Sequence, residues 1–249
     1  MKSRIKNIAF TIWSLFNKNN RQHHLFLLAH PRSGSSLLMH ILTTNNQIAG
    51  FGEYLTNYKT EKDLKKAAFD IRRKSGTLFS KVTFVANQVN HHSVTPTVKL
   101  LQKETVKVIF LIRNPEETLS SIAVLSKNKN RNLSQKEIAS IYIERLQNLI
   151  YIAKKLPKEK YCFLTYYELV NNSGKTLEKL SVFLELKTPL SKKYRLKKFT
   201  QKWGDPSQNI TRGTIFKTNP DKVLFKKEHL DNAQKVYREA LLFFKSQKE

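Results

Sequence analysis

Cysteine is almost absent from this chain of 249 residues, because Cys162 is its single copy. A disulfide framework within the chain is therefore excluded, and no cluster of Cys and His has the spacing of a zinc site. This composition suits a reducing compartment, and the expected localisation is cytoplasmic. Cys162 lies within an apolar run, so we expect it in the core.

Long hydrophobic runs are absent as well, and no stretch approaches the roughly 18 apolar residues that a membrane-spanning helix needs. The N-terminus has a basic start and a short apolar middle but no small-residue cleavage site, so a signal peptide is not expected. Residues 1–20 are instead predicted to form a basic amphipathic helix, which either docks on the core or makes a peripheral membrane contact. Its apolar positions are Ile5, Ile8, Ala9, Ile12, Trp13 and Phe16.

Acidic residues are scarce, since 19 Asp and Glu stand against 45 Lys and Arg, giving a formal net charge of +26. This excess favours an anionic partner such as a nucleotide, a nucleic acid, an anionic lipid or an anionic glycan, without choosing among them. The cations are spread along the whole chain, so part of the charge is ordinary solvated surface. Glycine and proline, seven each, form no linker, and residues 21–249 are expected to be one domain.

Strand-like and helix-like segments alternate along the chain, at spacings long enough for crossover connections. This alternation predicts a three-layer α/β fold of the P-loop type, a mostly parallel sheet with helices on both faces. Ligands bind at the carboxyl ends of the strands in such folds. The predicted strands are residues 25–29, 82–89, 106–112 and 161–167. The predicted helices begin near residues 37, 60, 115, 134 and 174, and a basic helix is predicted to close the chain.

Two of these helices carry capping signals at their start. Asn114 precedes a proline at the first helical position, and Glu117 follows three residues after Asn114. Ser134 and Glu137 have the same spacing. Both pairs predict a capping box, in which the two residues satisfy each other's backbone N–H groups.

The first predicted strand is followed by Pro31-Arg32-Ser33-Gly34-Ser35-Ser36, a turn of small residues with one arginine. The helix that starts there offers unpaired N–H groups and a positive dipole end, so the turn is predicted to bind an anion. It is not a Walker A motif, because no lysine follows Gly34. A metal-bound triphosphate is therefore not the expected ligand.

A second turn of this kind follows residues 106–112. Arg113 ends that strand, and Ser121 lies eight residues later, in the second turn of a helix that begins at Pro115. An arginine and a hydroxyl form a good clamp for a terminal phosphate, because the guanidinium fork matches phosphate oxygens. Two phosphate sites at two strand ends indicate a ligand that is phosphorylated at both ends.

At these residues the sequence resembles the sulfotransferase family. The family has a loop P-[KR]-[ST]-G-[ST]-[ST] after its first strand, and later R-[ND]-P followed by a serine eight residues after the arginine. Residues 31–36, Arg113-Asn114-Pro115 and Ser121 match these motifs. Residues 164–186 resemble the family's Y-E-x-L segment and the helix after it, and residues 51–55 resemble a G-E element of bacterial members. The resemblance spans about residues 25–215.

The resemblance implies 3′-phosphoadenosine 5′-phosphosulfate (PAPS) as the donor and no metal ion. It places Arg113 and Ser121 at the 3′-phosphate and Tyr167 near the adenine. Thr211-Arg212-Gly213 matches only loosely the family's R-K-G loop over the nucleotide, which suggests Arg212 and Gly213 as further contacts. The 5′-phosphosulfate is assigned to Arg32, Ser33, Gly34, Ser35, Ser36 and Leu37.

The implied reaction is the transfer of a sulfuryl group from PAPS to a hydroxyl or amine. Arg32 is expected to stabilise the charge that grows on the leaving phosphate oxygen. The acceptor also needs a general base, for which Glu53 is the first candidate. His91, next to His92, is the second, because histidine is suited to proton transfer near neutral pH. The acceptor itself is not identified, and a carbohydrate or glycolipid fits the excess positive charge.

Two other functions remain open on the sequence alone. A P-loop nucleotide kinase has the same fold, although the sequence lacks its lysine and a clear Mg²⁺-binding carboxylate at a strand end. A noncatalytic basic protein that binds nucleic acid or membrane would explain the net charge and residues 1–20. It would not explain an arginine with neighbouring hydroxyls at each of two strand ends, and no specific nucleic-acid partner is expected.

Overall fold

A computed structural model describes residues 9–14, 22–197, 200, 208–217 and 222–247, with His92 and Gln208 described for their backbone alone. Residues 9–14 are helical and are called α1. The strands are β1 (His23–Ala29), β2 (Ile48–Gly50), β3 (Phe84–Val89), β4 (Val106–Ile112) and β5 (Tyr161–Thr165). The other helices are α2 (Ser35–Thr44), α3 (Glu61–Ser75), α4 (Val98–Leu101), α5 (Pro115–Asn128), α6 (Gln135–Ala153), α7 (Tyr166–Asn171), α8 (Ser173–Phe183) and α9 (Lys227–Ser246).

The five strands form one sheet in the order β2-β3-β1-β4-β5, and every neighbouring pair is parallel. β1 is central, with β3 on one side and β4 on the other. Parallel strands need crossover connections, which the helices supply. The carboxyl ends of β1, β3 and β4 therefore meet at one edge of the sheet, and the turns after them lie side by side.

Helices cover both faces of the sheet, so the predicted three-layer α/β fold is confirmed. Phe26 and Leu28 of β1 belong to one core, which they share with residues from α3, α4, α5, α6 and α9. Leu25 and Leu27, the alternate residues of the same strand, belong to the opposite core with residues from α2 and α8. Cys162 is buried in this second core, as expected. This two-sided burial explains why the strands are continuous apolar runs.

The start of β5 was predicted correctly, but its end was not. The strand stops at Thr165, and Tyr166 and Tyr167 begin α7. Thr165 is the N-cap of that helix: its hydroxyl accepts from the Glu168 N–H at 3.1 Å, and the Glu168 carboxylate accepts from the Thr165 N–H at 2.7 Å. This capping box outweighs the β-propensity of the tyrosines. The short strand β2 was not predicted.

The capping signals of α5 and α6 have different outcomes. Ser134 and Glu137 form the predicted capping box of α6. At α5, Pro115 occupies the first turn and the Asn114 side chain accepts from the Glu116 N–H at 2.9 Å. The prediction that Glu117 completes a box with Asn114 was wrong, because its carboxylate pairs with Arg113 instead.

The described part of the N-terminal segment packs on α3. Trp13 is buried, and its ring lies 5.6 Å from that of Phe69, which also contacts Phe10. The Arg72 guanidinium lies 5.8 Å from the Trp13 ring. Ile12, predicted on the apolar face, is half exposed. Of the helix predicted over residues 1–20, positions 1–8 and 15–20 lie outside the described residues. Among the described helices, none is long and apolar enough to cross a bilayer.

Phe244 of α9 anchors this last helix on the sheet and offers a test of the packing. Its ring stacks on Phe163 of β5, with centroids 4.2 Å apart and planes 3° apart. We expect Phe244→Ala to lower the free energy of unfolding by about 3–5 kcal/mol, because it leaves a cavity between helix and sheet. Urea denaturation measures this, and Leu242→Ala, at a position 70% exposed on the same helix, should cost less than about 0.5 kcal/mol. Equal losses in both variants would show that α9 is not held by this stack.

Candidate active site

The turns after β1 and β4 line one cavity of about 590 Å³ at the carboxyl edge of the sheet. The structure thus brings together most of the residues that the sequence suggested. Glu53 and His91, the two candidate bases, line the same cavity. Also in its wall are Arg32, Gly34, Ser35, Ser36, Leu37, Arg113 and Ser121.

A buried histidine joins the two turns. The Arg113 backbone N–H donates to Nε2 of His30 at 2.9 Å, and Nδ1 of His30 lies 2.9 Å from the Pro31 carbonyl. This pattern assigns the ring proton to Nδ1, because Nε2 must accept. Burial lowers the pKa of His30 to about 4, and the charges of Arg113 and Arg145 act in the same direction. His30 is therefore a neutral connector between the strand ends.

The hydroxyl of Tyr142 completes this connection, donating to the Arg113 carbonyl at 2.9 Å. Both polar groups of the Arg113 backbone are thus bound, one by His30 and the other by Tyr142. The Tyr142 ring also contacts the imidazole edge-on, with centroids 4.8 Å apart. These contacts fix the position at which the Arg113 side chain leaves the backbone.

Arg145, also on α6, holds the ends of β1 and β3 together. Its Nε donates to the Ala29 carbonyl at 2.8 Å and one of its NH2 groups to the Val89 carbonyl at 2.7 Å. The other NH2 group donates to Thr95 and Asn148, each at 2.8 Å. Burial lowers the pKa of the guanidinium to about 9, and the charge of Glu53 partly opposes this shift. The four acceptors compensate for burying the cation.

The turn after β1 leaves the start of α2 available to an anion. Gly34 precedes the helix in a left-handed conformation, φ 91°, no side chain caps the first turn, and that turn contains no acid. A Cβ at Gly34 would lie 2.4 Å from Cδ2 of Tyr166, so only glycine fits beneath this ring. The hydroxyl of Ser33 is buried without a hydrogen-bond partner among the described residues. The free N–H groups and helix dipole make this end of the cavity suited to a phosphate.

The two arginines of the site are connected through side chains as well. Nε of Arg32 donates to the Ser121 hydroxyl at 2.9 Å, and Arg113 donates to the Arg32 carbonyl at 3.2 Å. The sequence grouped Ser121 with Arg113, whereas the structure shows that its hydroxyl contacts Arg32. The Arg113 fork is held by Glu117, with N–O distances of 2.9 and 2.8 Å, and the guanidinium lies 4.1 Å from the Tyr166 ring centroid.

Glu53 is held at the end of β3, on the other side of β1. The Asn90 N–H donates to the Glu53 carboxylate at 3.3 Å, while the Asn90 side chain accepts from the Ser35 hydroxyl at 3.2 Å. Gly52, with φ 88°, provides the turn that brings Glu53 back to the cavity. His91 follows Asn90 directly and is exposed at the cavity wall.

Four predicted contact residues lie outside the cavity wall. Tyr167 is 66% exposed, and its neighbour Tyr166 lines the cavity in its place. The Arg212 guanidinium lies 3.8 Å from the Phe216 ring, and the Gly213 carbonyl accepts from the Tyr194 N–H at 2.7 Å. Their neighbours Ile210, Thr214 and Phe216 do line the cavity. Ser33, predicted in the phosphate turn, is buried behind it.

The sequence analysis missed four residues that build the site: His30, Tyr142, Arg145 and Tyr166. His30 had a visible signal, because it stands between a buried strand and the phosphate turn. Tyr142 and Arg145 occupy the apolar positions of α6 beside Leu146 and Leu149, and an arginine at such a position indicates a buried polar partner. Tyr166 had no usable signal, because the sequence predicts that β5 continues through it.

No group of three or more His, Cys, Asp or Glu side chains in the described ranges is arranged to hold a metal ion. The fold and site together define an α/β protein with a parallel sheet, in which the turns after β1 and β4 line one cavity. The family model of the sulfotransferase domain matches residues 22–242, and the chain belongs to this family.

Solved structures with the same fold include several sulfotransferases. The sulfotransferase domain of the curacin biosynthetic pathway superposes with a TM-score of 0.52 at 16% identity, over 87% of this chain and 98% of that one. The sulfotransferase domain of the Synechococcus PCC 7002 olefin synthase gives 0.58 at 15%, over 87% and 94%. Mouse sulfotransferase SULT7A1 complexed with PAP gives 0.50 at 15%, over 91% and 87%. No curated protein matches the sequence.

The neutral state of His30 predicts a loss of stability in acid. Its pKa is lowered from 6.5 to about 4, so the unfolded chain binds more protons between these values and stability falls as the pH falls through them. His30 contributes up to about 3 kcal/mol of this loss. We expect His30→Gln, which keeps an acceptor for Arg113, to reduce the loss by about that amount.

Urea denaturation of both proteins at about pH 7 and about pH 4 measures the difference. His24, whose pKa burial also lowers to about 4, and the carboxylates are common to both proteins and cancel in the comparison. Identical losses in the two proteins would mean that His30 is not kept neutral by the fold.

Proposed function

We propose that this protein transfers a sulfuryl group from PAPS to a hydroxyl or amine of an acceptor. The observation that carries the proposal is the hydrogen bond of Arg32 to Ser121, because it unites the two phosphate turns in one cavity. Membership of the sulfotransferase family supports the same reaction. A nucleotide with phosphates at both ends matches two linked anion sites better than a simple anion does.

The residues present fit the donor. The uncapped start of α2, with Ser35, Ser36 and Leu37, would hold the 5′-phosphosulfate, and the buried Ser33 hydroxyl is an unused donor next to it. Arg113 and Ser121 would hold the 3′-phosphate. Tyr166, over Gly34 and Arg113, is better placed than Tyr167 to contact the nucleotide, and Arg212 and Gly213 remain candidates beside the wall residues Thr214 and Phe216.

PAPS, when bound, supplies a sulfuryl group on a phosphate leaving group. The acceptor oxygen forms a bond to sulfur while the bond from sulfur to the phosphate oxygen breaks, and PAP leaves with the electron pair. Arg32 and the backbone N–H groups of α2 stabilise the charge that grows on the leaving oxygen. The acceptor proton passes to a base, so that the products are a sulfate ester, PAP and one proton.

Glu53 is the proposed base, with His91 as the alternative. The Asn90 N–H fixes the Glu53 carboxylate at the cavity wall, beside the residues that would hold the phosphosulfate. His91 is more exposed, and its ring has no hydrogen-bond partner among the described residues. A positioned carboxylate can accept a proton in the transition state without a large change in its surroundings.

The rival functions lack this support. A nucleotide kinase would require a lysine in the first turn and a carboxylate for Mg²⁺, but the carboxylate at the β4 end, Glu117, is paired with Arg113. A noncatalytic binder of membranes or nucleic acid would not need two arginines converging on one cavity. In the described part of residues 1–20, Trp13 packs on α3, so a peripheral membrane contact of this segment is not part of the proposal.

The donor site is tested by titrating PAP into the wild type and into Arg113→Ala. We expect the variant to bind PAP about 2 kcal/mol more weakly, because a charge-assisted phosphate contact is lost. Glu117→Gln should instead tighten binding, because its carboxylate no longer competes for the Arg113 fork. Arg238→Ala on α9 removes the same charge from an exposed position and should leave the affinity unchanged. Unchanged affinity in Arg113→Ala would remove this residue from the donor site.

The base is tested with sulfur-labelled PAPS and a cell extract as the source of acceptor. Glu53→Gln should lower sulfuryl transfer by about 10²- to 10⁴-fold with nearly normal PAP affinity, since one general base contributes about that much. His91→Asn should lose much less. The reverse order would identify His91 as the base, and losses below about tenfold in both would place the base elsewhere.

A further inference from the structure

The cavity continues past the two phosphate turns along α5, and there its wall is apolar. The lining there includes Ile122 and Leu125 of α5, Leu133 of the loop after α5 and Ile141 near the start of α6. Leu133 and Ile141 remain partly exposed although both are large and apolar. An apolar body in this part of the cavity would cover them.

Two cationic side chains lie at the end of this apolar stretch of the cavity wall. Lys129 and Arg131 line the cavity where α5 gives way to the loop, and neither belongs to an ion pair with any described residue. The sequence from 118 to 136 contains no acidic residue, so nothing nearby in the chain neutralises them. Unpaired cations on a cavity wall favour an anionic group on the molecule that enters.

The loop that presents these cations is built by its own hydrogen bonds. The Ser126 hydroxyl donates to the Arg131 carbonyl, and the Arg131 N–H donates to the Ser126 carbonyl at 2.9 Å. The Leu133 N–H donates to the Arg131 carbonyl at 3.0 Å. The backbone that carries Lys129, Arg131 and Leu133 is therefore fixed by these bonds, which lowers the cost of ordering the loop on binding.

Lys129 is separated from the transfer residues by about two turns of α5. It lies eight residues after Ser121, which corresponds to about 12 Å along α5 at a rise of about 1.5 Å per residue. The charged groups of the donor would bind Arg32, Arg113 and the start of α2, at the other end of the cavity. An anion beside Lys129 and Arg131 would thus belong to the acceptor rather than to the donor.

From this arrangement we infer that the acceptor is an amphiphile with three parts: a hydroxyl, an apolar segment and an anionic group such as a carboxylate. This inference rests on the proposed sulfuryl transfer. The hydroxyl reaches Glu53 and the phosphosulfate turn, the apolar segment covers the wall of α5 and α6, and the anion pairs with Lys129 and Arg131. The products are the sulfate ester of the amphiphile, PAP and one proton taken up by the base.

The test compares two probes of matched chain length, 12-hydroxydodecanoate and the uncharged 1,12-dodecanediol. Both are titrated calorimetrically into the PAP-loaded protein at low salt and below the concentration at which micelles form. We expect the carboxylate to bind about tenfold more tightly or better, because it gains charge-assisted contacts with two cations. Equal binding of the two probes would overturn the inference.

Two double variants locate the effect. Lys129→Gln with Arg131→Gln should abolish the preference for the carboxylate and leave PAP affinity unchanged. Lys127→Gln with Lys136→Gln removes the same charge from exposed positions outside the cavity wall and should keep the preference. A similar loss of preference in this control would show that the preference comes from the overall positive charge of the protein. A tenfold loss of PAP affinity in the first variant would assign Lys129 and Arg131 to the donor site. Either result overturns the inference.

The experiment also separates this inference from the proposed function. The same titrations are run without PAP, so that discrimination between the probes is measured independently of the nucleotide. If wild-type protein fails to bind PAP while still preferring the carboxylate, the donor proposal fails and the anion site stands. If PAP binds and the preference is missing, the anion site fails and the donor proposal stands.

Discussion

The site depends on one neutral imidazole held between two strand ends. His30 directly follows β1 and accepts a hydrogen bond from the backbone N–H of Arg113, at the end of β4. Burial lowers its pKa to about 4. A protonated ring would have no lone pair for Arg113 and would add a charge beside two arginines. The fold thus keeps His30 neutral by surrounding it with apolar packing and cations, and this neutrality sets the distance between the two turns.

Positive charge accumulates at the carboxyl edge of the sheet, where Arg32, Arg113 and Arg145 lie close together in the fold. Each is compensated differently. Arg145 donates only to neutral oxygens, Arg32 donates to Ser121, and Arg113 pairs with the half-exposed Glu117. The Glu117 carboxylate occupies the Arg113 fork. A phosphate that binds Arg113 must compete with Glu117, and the accumulated charge favours that exchange.

Much of the fold could be predicted, because buried parallel strands are continuous apolar runs that the sequence displays directly. The convergence of the turns after β1 and β4 on one cavity could be predicted as well, since residues 31–36 and Arg113 to Ser121 are local patterns that follow two predicted strands. What could not be predicted depends on distant partners or on competition between local signals. Glu117 pairs with Arg113, one helical turn away, rather than with the backbone of Asn114. The capping box of Thr165 ends β5 and makes Tyr166 the first residue of α7, at the cavity wall.

The two ends of the cavity are built by different physical means. The end beneath Tyr166 consists of backbone groups, a glycine that admits no Cβ, and hydrogen bonds between strand ends, so a change there alters the fold together with the chemistry. The end beyond Ser121 consists of partly exposed side chains on a loop whose hydrogen bonds are satisfied within the loop itself. Substituting Lys129, Arg131 or Leu133 therefore changes the cavity wall without disturbing the sheet. Under the proposed function, the exposed residues of this loop would select the acceptor, whereas the core residues would set the mode of donor binding.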